Sequence, residues 1–147
     1  GYAKVLSEKW GCTLFLIDVG KNSYGEVLEK IQQDLFCIQA ELGGSDIHIN
    51  KNHISYLEKI IYEVETLLPP ITSFIIPGGR EAGAYLDIIR TITRRAERQL
   101  ILLRDKKKRT VSDESIAFMN RLSSVFYALA RFANYQQGYS ERKPNYK

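Results

Sequence analysis

Apolar residues step along this chain at helical spacing four times. Leu28, Ile31, Leu35, Ile38 and Leu42 are separated by 3, 4, 3 and 4 residues, as are Ile54, Leu57, Ile61, Val64 and Leu68. Met119, Leu122, Phe126, Leu129 and Ala133 repeat the step, and Ala82, Leu86, Ile89, Ile92, Ala96, Leu100 and Leu103 form a longer seam. With 3.6 residues per turn, such spacing gathers the apolar side chains onto one face of a helix. A helix with one apolar face must bury it, and four of them in series with short breaks indicate an all-α, up-and-down bundle. Glycines and prolines interrupt the pattern too often for one long coiled coil.

The breaks set the boundaries. One helix is expected from Ser23, a fair N-cap with Glu26 three residues on, to Leu42, where Gly43-Gly44 ends it. The next starts near Asn50 to Asn52 and is stopped by Pro69-Pro70, because proline lacks an amide donor and disfavours helix in the residue before it. A third runs from about Arg80 to Asp105. The fourth spans Val111 to Gln137, with Ser112 as N-cap and Asp113 and Glu114 in its first turn. Trp10 to Gly20 is expected to be an irregular apolar connector or one helical turn, with no sheet partner elsewhere. Gly1 to Leu6 reads as the tail of a helix.

Charge is spread unevenly over the 147 residues. Residues 1–79 hold 6 Lys/Arg against 10 Asp/Glu (−4), residues 80–109 hold 10 against 4 (+6), and residues 110–147 hold 5 against 3 (+2). The positive field is thus local to the third helix and the loop after it, which suits a compact polyanion such as a nucleotide triphosphate. An apolar share of 44% excludes a disordered chain. Cys12 and Cys37 have neither metal nor disulfide-framework spacing, and Cys37 fits a small core position. His48 and His53 lack acidic or cysteine partners at ligand spacing, so no metal residue is assigned. No apolar run reaches membrane-spanning length and no signal peptide is evident, which makes cytoplasm the expected compartment.

The stretch Phe74 to Arg98, FIIPGGREAGAYLDIIRTITRRAER, carries the chemistry. Arg90, Arg94, Glu97 and Arg98 stand at offsets 0, 4, 7 and 8 and fall within an arc of about 100°. Such a stripe is a solvated face in which Glu97 pairs with an arginine, or a set of guanidiniums able to fork onto phosphate oxygens. Asn120, Ser124, Tyr127 and Arg131 form a second polar stripe at offsets 0, 4, 7 and 11. Two such faces on neighbouring helices either enclose a cleft or remain separate wet surfaces. The run Lys106-Lys107-Lys108-Arg109 is read as a solvated turn whose charges suit a helix C-terminus.

These residues resemble the signature of the PduO-type ATP:cob(I)alamin adenosyltransferases. Phe74-Ile75-Ile76-Pro77-Gly78-Gly79 matches the family's F-I-L/V-P-G-G. Arg90 and Arg94-Arg95-Ala96-Glu97-Arg98 match its A-R-x-x-x-R-R-A-E-R at the same spacing. Ile31-Gln32-Gln33-Asp34-Leu35-Phe36 resembles I-Q-x-D-L-F, and Asn120-Arg121-Leu122-Ser123 resembles N-R-L-S. The resemblance covers most of the chain and implies one adenosyltransferase domain over residues 1–147. That domain is a five-helix, ferritin-like bundle whose first helix, with the T-G-D-x-G-x-T phosphate loop before it, is largely absent from the sequence.

The implied enzyme transfers the 5′-deoxyadenosyl group of ATP to the Co(I) of reduced cobalamin, giving adenosylcobalamin and triphosphate. ATP is co-substrate, cobalamin substrate, and Mg²⁺ accompanies the nucleotide. Arg94, Arg95 and Arg98 would face the nucleotide, Glu97 would orient them and contact it, and Asn120 matches a nucleotide-contacting asparagine. Arg90 would anchor the missing helix by an ion pair and shape the cobalamin site. Phe74 would lie under the corrin ring and keep the lower cobalt ligand away; ordinary core packing is the competing reading of that residue. Arg94 and Phe74 are thus the implied catalytic pair. The family also implies a homotrimer with sites between subunits, and a reductase or B12-dependent enzyme as partner. Two departures stand out: Asp87 where the family often has His, and Ser124 where it often has Asp. From the residues alone, a basic helical module for nucleic acid and a non-catalytic interaction bundle are the rivals. Against the first, no aromatics alternate with the arginines as a stacking platform.

Overall fold

The structure is a computed structural model and describes residues 18–19 and 22–146. Two two-residue strands, β1 (Asp18–Val19) and β2 (Asn22–Ser23), pair antiparallel, Asp18 with Ser23 and Val19 with Asn22. This corrects the expectation of no sheet partner at Asp18 and Val19. Four helices follow: α1 (Tyr24–Leu42), α2 (Lys51–Glu65), α3 (Glu81–Asp105) and α4 (Asp113–Gln136). The helix expected to end near Leu6, the connector over 10–17 and Cys12 lie outside the described residues.

Local chemistry sets each helix start. Asn50 caps α2 with a reciprocal box: its Oδ1 accepts from the Asn52 amide at 2.9 Å, and its own amide donates to His53 Nδ1 at 3.2 Å. His53 is therefore committed to a cap, a role in which a ring nitrogen replaces the usual Glu or Gln. Ser112 caps α4 as its spacing suggests, accepting from the Ser115 amide at 3.1 Å. Glu41 of α1 reinforces that end, accepting from the Ser115 hydroxyl at 2.7 Å and the Ser112 amide at 3.3 Å. A carboxylate suits the positive end of a helix.

The core centres on α4, in which 14 of 24 residues are buried, Phe118, Leu122, Val125 and Leu129 almost completely. Its expected seam, Met119 to Ala133, is buried throughout. Val27, Ile31 and Ile38 of α1 and Leu57, Ile60 and Val64 of α2 join this core, with Ile49, Leu68, Leu86, Leu100 and Val111. α3 differs: only Gly83, Leu86, Thr93 and Leu100 of its 25 residues are buried. Ile89 and Ile92, expected in its seam, are 39% and 50% exposed. The buried strip is narrower than the apolar face, and at Gly83 it lies directly against Asn134 of α4.

Candidate functional site

The turn at Pro77-Gly78-Gly79 aims the start of α3. Gly78 and Gly79 have φ of 106° and 113°, a region that a side chain disfavours. Two side chains pin this turn from opposite helices. The Gly78 amide donates to Asp87 Oδ2 of α3 at 2.8 Å. On α4, Asn134 Nδ2 donates to the Gly78 carbonyl at 2.8 Å, and Asn134 Oδ1 accepts from the Arg80 amide at 2.9 Å. Asn134 is 6% exposed, so these bonds are shielded from water. No sequence signal marks it, since its partners lie more than fifty positions away.

The loop before the turn leaves Phe74 79% exposed, so among the described residues this ring is not packed in the core. Phe74 stands on the rim of a hollow of about 330 Å³, lined also by Gly78, Asp87, Arg90, Tyr127 and Tyr139. Arg90 Nε donates to Asp87 Oδ1 at 3.3 Å, and its guanidinium lies 5.9 Å from the centre of the Tyr127 ring. The expected partner of Arg90 on a preceding helix lies outside the described residues. Burial pushes the Tyr127 phenol above its ordinary value of 10.0, against the opposing pull of Arg131 and Arg90.

Two turns further along the α3–α4 groove lies the second cluster. Asn120 Nδ2 donates to Glu97 Oε1 at 3.0 Å, and Arg121 Nη2 donates to Asn120 Oδ1 at 2.6 Å. Glu97 is thus engaged by α4 rather than by an arginine of its own helix. Arg94, Arg95 and Arg98 are exposed, and no hydrogen bond or ion pair joins their side chains to another group among the described residues. Arg90 to Glu97, like Asn120 to Tyr127, is seven residues, or about 10 Å of helix. Among the described residues, three exposed arginines without ion-pair partners therefore stand towards one end of the groove and an aromatic-rimmed hollow lies at the other.

The remaining candidates separate. Ser124 donates back to the Asn120 carbonyl at 3.5 Å. Arg131, read as part of a polar face, is buried at 5% exposure and paired with Glu141. Cys37 packs beside the core, and its thiol points to the Gln33 carbonyl at 3.6 Å. Among the described residues no three His, Cys, Asp or Glu side chains converge as a metal site. None of the described helices is long and apolar enough to cross a membrane.

Comparison with known proteins bears on the family and the fold. The family model for cobalamin adenosyltransferase matches residues 6–133. A corrinoid adenosyltransferase of Bacillus subtilis is 35% identical over 75% of this chain and 62% of its own length. A human corrinoid adenosyltransferase is 31% identical over 97% of this chain and 60% of its own length. The chain thus spans about six-tenths of the length of these curated relatives. Among solved structures, a variant PduO-type ATP:corrinoid adenosyltransferase from Lactobacillus reuteri, complexed with cobalamin and ATP, superposes with a TM-score of 0.73. Its identity is 32%, over 81% of this chain and 68% of that one. A second variant from the same organism, complexed with ATP, gives a TM-score of 0.72 at 29% identity, over 98% of this chain and 73% of that one. On the match over residues 6–133 and the shared helical fold, the chain belongs to the cobalamin adenosyltransferase family.

Proposed function

We propose that this chain transfers the 5′-deoxyadenosyl group of ATP to the Co(I) of reduced cobalamin. The electron pair of Co(I) forms the bond to C5′, the C5′–O bond breaks, and the leaving pair departs on triphosphate. The cobalt supplies the nucleophile, so the protein's part is to position the reactants and stabilise charge. One observation carries the reading: Arg94 and Arg98 stand exposed beside a glutamate that Asn120 already holds, so their charge is free to meet a polyanion.

In this reading Arg94, Arg95 and Arg98 face the triphosphate, where charge grows as the bond to C5′ breaks. A preorganised donor at such a position is worth about 3 kcal/mol, or about a hundredfold in rate. Glu97 and Asn120 hold each other in place for the nucleoside end. Phe74 presents its ring to the corrin, and Arg90 fixes the wall behind it through Asp87 and Tyr127. Side chains here that could hold Mg²⁺ do not converge among the described residues, so no step is assigned to a resident ion; Mg²⁺ would arrive on the nucleotide. We read residues 1–147 as one adenosyltransferase domain acting in the cytoplasm. A trimer with sites between subunits is supported by an apolar stripe on α3, where Tyr85, Ile88, Ile89 and Ile92 are 50%, 54%, 39% and 50% exposed. Exchange of corrinoid with a reductase or a B12-dependent enzyme belongs to the same proposal.

The test is an anaerobic assay of cob(I)alamin with Mg-ATP, following loss of the Co(I) absorbance. Arg94→Ala should lower turnover at least about a hundredfold with unchanged helical circular dichroism. Full activity in that variant would remove Arg94 from the site. Absence of both turnover and ATP binding in the unaltered chain would favour a non-catalytic interaction bundle.

A further inference from the structure

We propose that the ion pair between Arg131 and Glu141 is a positioning device for the corrinoid side of the site. It straps the segment after α4 onto the loop that carries Phe74. The proposal rests on the adenosyltransferase reading, but the strap itself is visible without it.

Arg131 lies in the last third of α4 and its side chain is only 6% exposed. Its guanidinium joins three parts of the chain. Nε donates to Glu141 Oε1 at 2.6 Å and Nη2 donates to Glu141 Oε2 at 3.2 Å, a two-pronged contact with the segment after α4. Nη2 also donates to the Pro69 carbonyl at 3.0 Å, where the loop after α2 begins. Next to Glu141, the Arg142 carbonyl accepts from the Ile76 amide at 2.9 Å. Pro69 and Ile76 bracket Phe74. Among the described residues, no hydrogen bond involves any position from 70 to 75. This loop has no helix or strand of its own, and among the described residues those two bonds are the hydrogen-bonded anchors nearest Phe74 on either side, ahead of the clamp at Gly78.

Both anchors lead to the same place. Pro69 is held by Arg131, Ile76 by the residue after Glu141, and Arg131 and Glu141 hold each other. A planar fork fixes direction as well as distance, which a lysine would not. Tyr139 and Glu141 also line the hollow on whose rim Phe74 stands. The segment after α4 therefore supplies part of the wall of that hollow and anchors the loop that supplies another part, while α3 and α4 line the rest. Releasing the fork would let Phe74 drift while leaving Arg94, Arg95, Arg98 and Asn120, which sit two turns away on rigid helices, undisturbed.

The experiment uses the full chain and the substitution Glu141→Gln, which keeps the shape and removes the charge. Arg131→Lys, which keeps the charge and removes the fork, is the second variant. Two readouts are taken: hydrogen exchange at the Ile76 amide, and KM for cob(I)alamin against KM for ATP. In Glu141→Gln the Ile76 amide should exchange about tenfold faster or more, as expected when an anchor opens locally. KM for cob(I)alamin should rise about tenfold while KM for ATP stays within about twofold, the pattern of a loss confined to one substrate. Arg131→Lys should show the same split. Unchanged exchange at Ile76 would overturn the strap. Faster exchange with both KM values unchanged, or raised together, would overturn the positioning role while leaving the adenosyltransferase reading intact. An unaltered chain that binds ATP but transfers no adenosyl group would overturn both.

Discussion

Gly83→Ala tests the clamp that holds the Pro77-Gly79 turn. In an exposed helix this substitution is stabilising, by about 1 kcal/mol, because alanine loses less backbone entropy. Here a Cβ on residue 83 would lie 2.5 Å from Asn134 Oδ1 and 2.7 Å from its Cγ. That is about 1 Å inside the separation at which non-bonded heavy atoms attract best. Asn134 cannot swing aside freely, since it bonds the Gly78 carbonyl at 2.8 Å and the Arg80 amide at 2.9 Å. Moving it forfeits two shielded hydrogen bonds at about 1 kcal/mol each, and the overlap that remains adds about 1 kcal/mol or more. The propensity gain offsets one of these, so Gly83→Ala should destabilise the chain by about 2 kcal/mol, lowering Tm by about 4–8 °C for a chain of this size. Asn134→Ala removes the obstacle. In that background Gly83→Ala should stabilise by about 1 kcal/mol, giving a coupling of about 3 kcal/mol in a double-mutant cycle. Urea unfolding followed by circular dichroism, at one fixed protein concentration, measures all four corners. An equal effect of Gly83→Ala in both backgrounds, or no destabilisation in the first, would refute the clamp.

Two further outcomes follow from the hollow. Phe74→Ala should change unfolding free energy by less than about 0.5 kcal/mol, the scale of surface substitutions, because the ring is 79% exposed. It should nevertheless slow adenosyl transfer severely; a large loss of stability would return the ring to the core. For Tyr127, burial raises the phenol above 10.0, so the folded chain holds its proton more tightly than the unfolded chain. Between the unfolded and folded values the unfolded state binds fewer protons, and stability falls as pH rises through that window. Its contribution is complete below pH 10 and is lost above it. Near-ultraviolet titration of Tyr127→Phe against the unaltered chain should show one late-ionising phenol missing from the variant.

How much of this could be read from residues alone depended on range. The α2 and α4 seams were legible because each apolar face is buried within the chain, Leu57, Val64, Met119, Leu122 and Ala133 included. Helix ends were legible because caps are local: Ser112 caps α4, and Asn50 starts α2. His53 could have been read as a cap partner from its place three residues after Asn50, a spacing that metal arguments ignore. What spacing could not reveal is where a polar side chain finds its partner. Arg131 has the periodicity of a wet stripe, yet it is buried, because Glu141 and Pro69 reach it from elsewhere in the chain. Glu97 sits among arginines, yet it bonds across the groove to Asn120. Asn134 had no signal, since a clamp between residues 78, 80 and 134 is a property of the fold.

α3 shows why a seam can be periodic and still half exposed. Taking 100° per residue from Arg90, the buried residues Gly83, Leu86, Thr93 and Leu100 occupy an arc of about 100°. Tyr85, Ile88, Ile89 and Ile92 fill an adjoining exposed arc of similar width on one side. On the other side, overlapping the edge of the buried strip, stand Arg94, Glu97 and Arg98. A helix that served only the core of its own chain would place polar, mutually compensating residues on both flanks. Here one flank exposes apolar surface, which is unfavourable in water, and the other gathers like-charged arginines without partners among the described residues, a local field that attracts anions. In the proposed adenosyltransferase reading another protein surface would cover the apolar arc and an anion would meet the basic arc, so that α3, packed on α4 at Gly83, would be a wall with two different faces for two different kinds of partner.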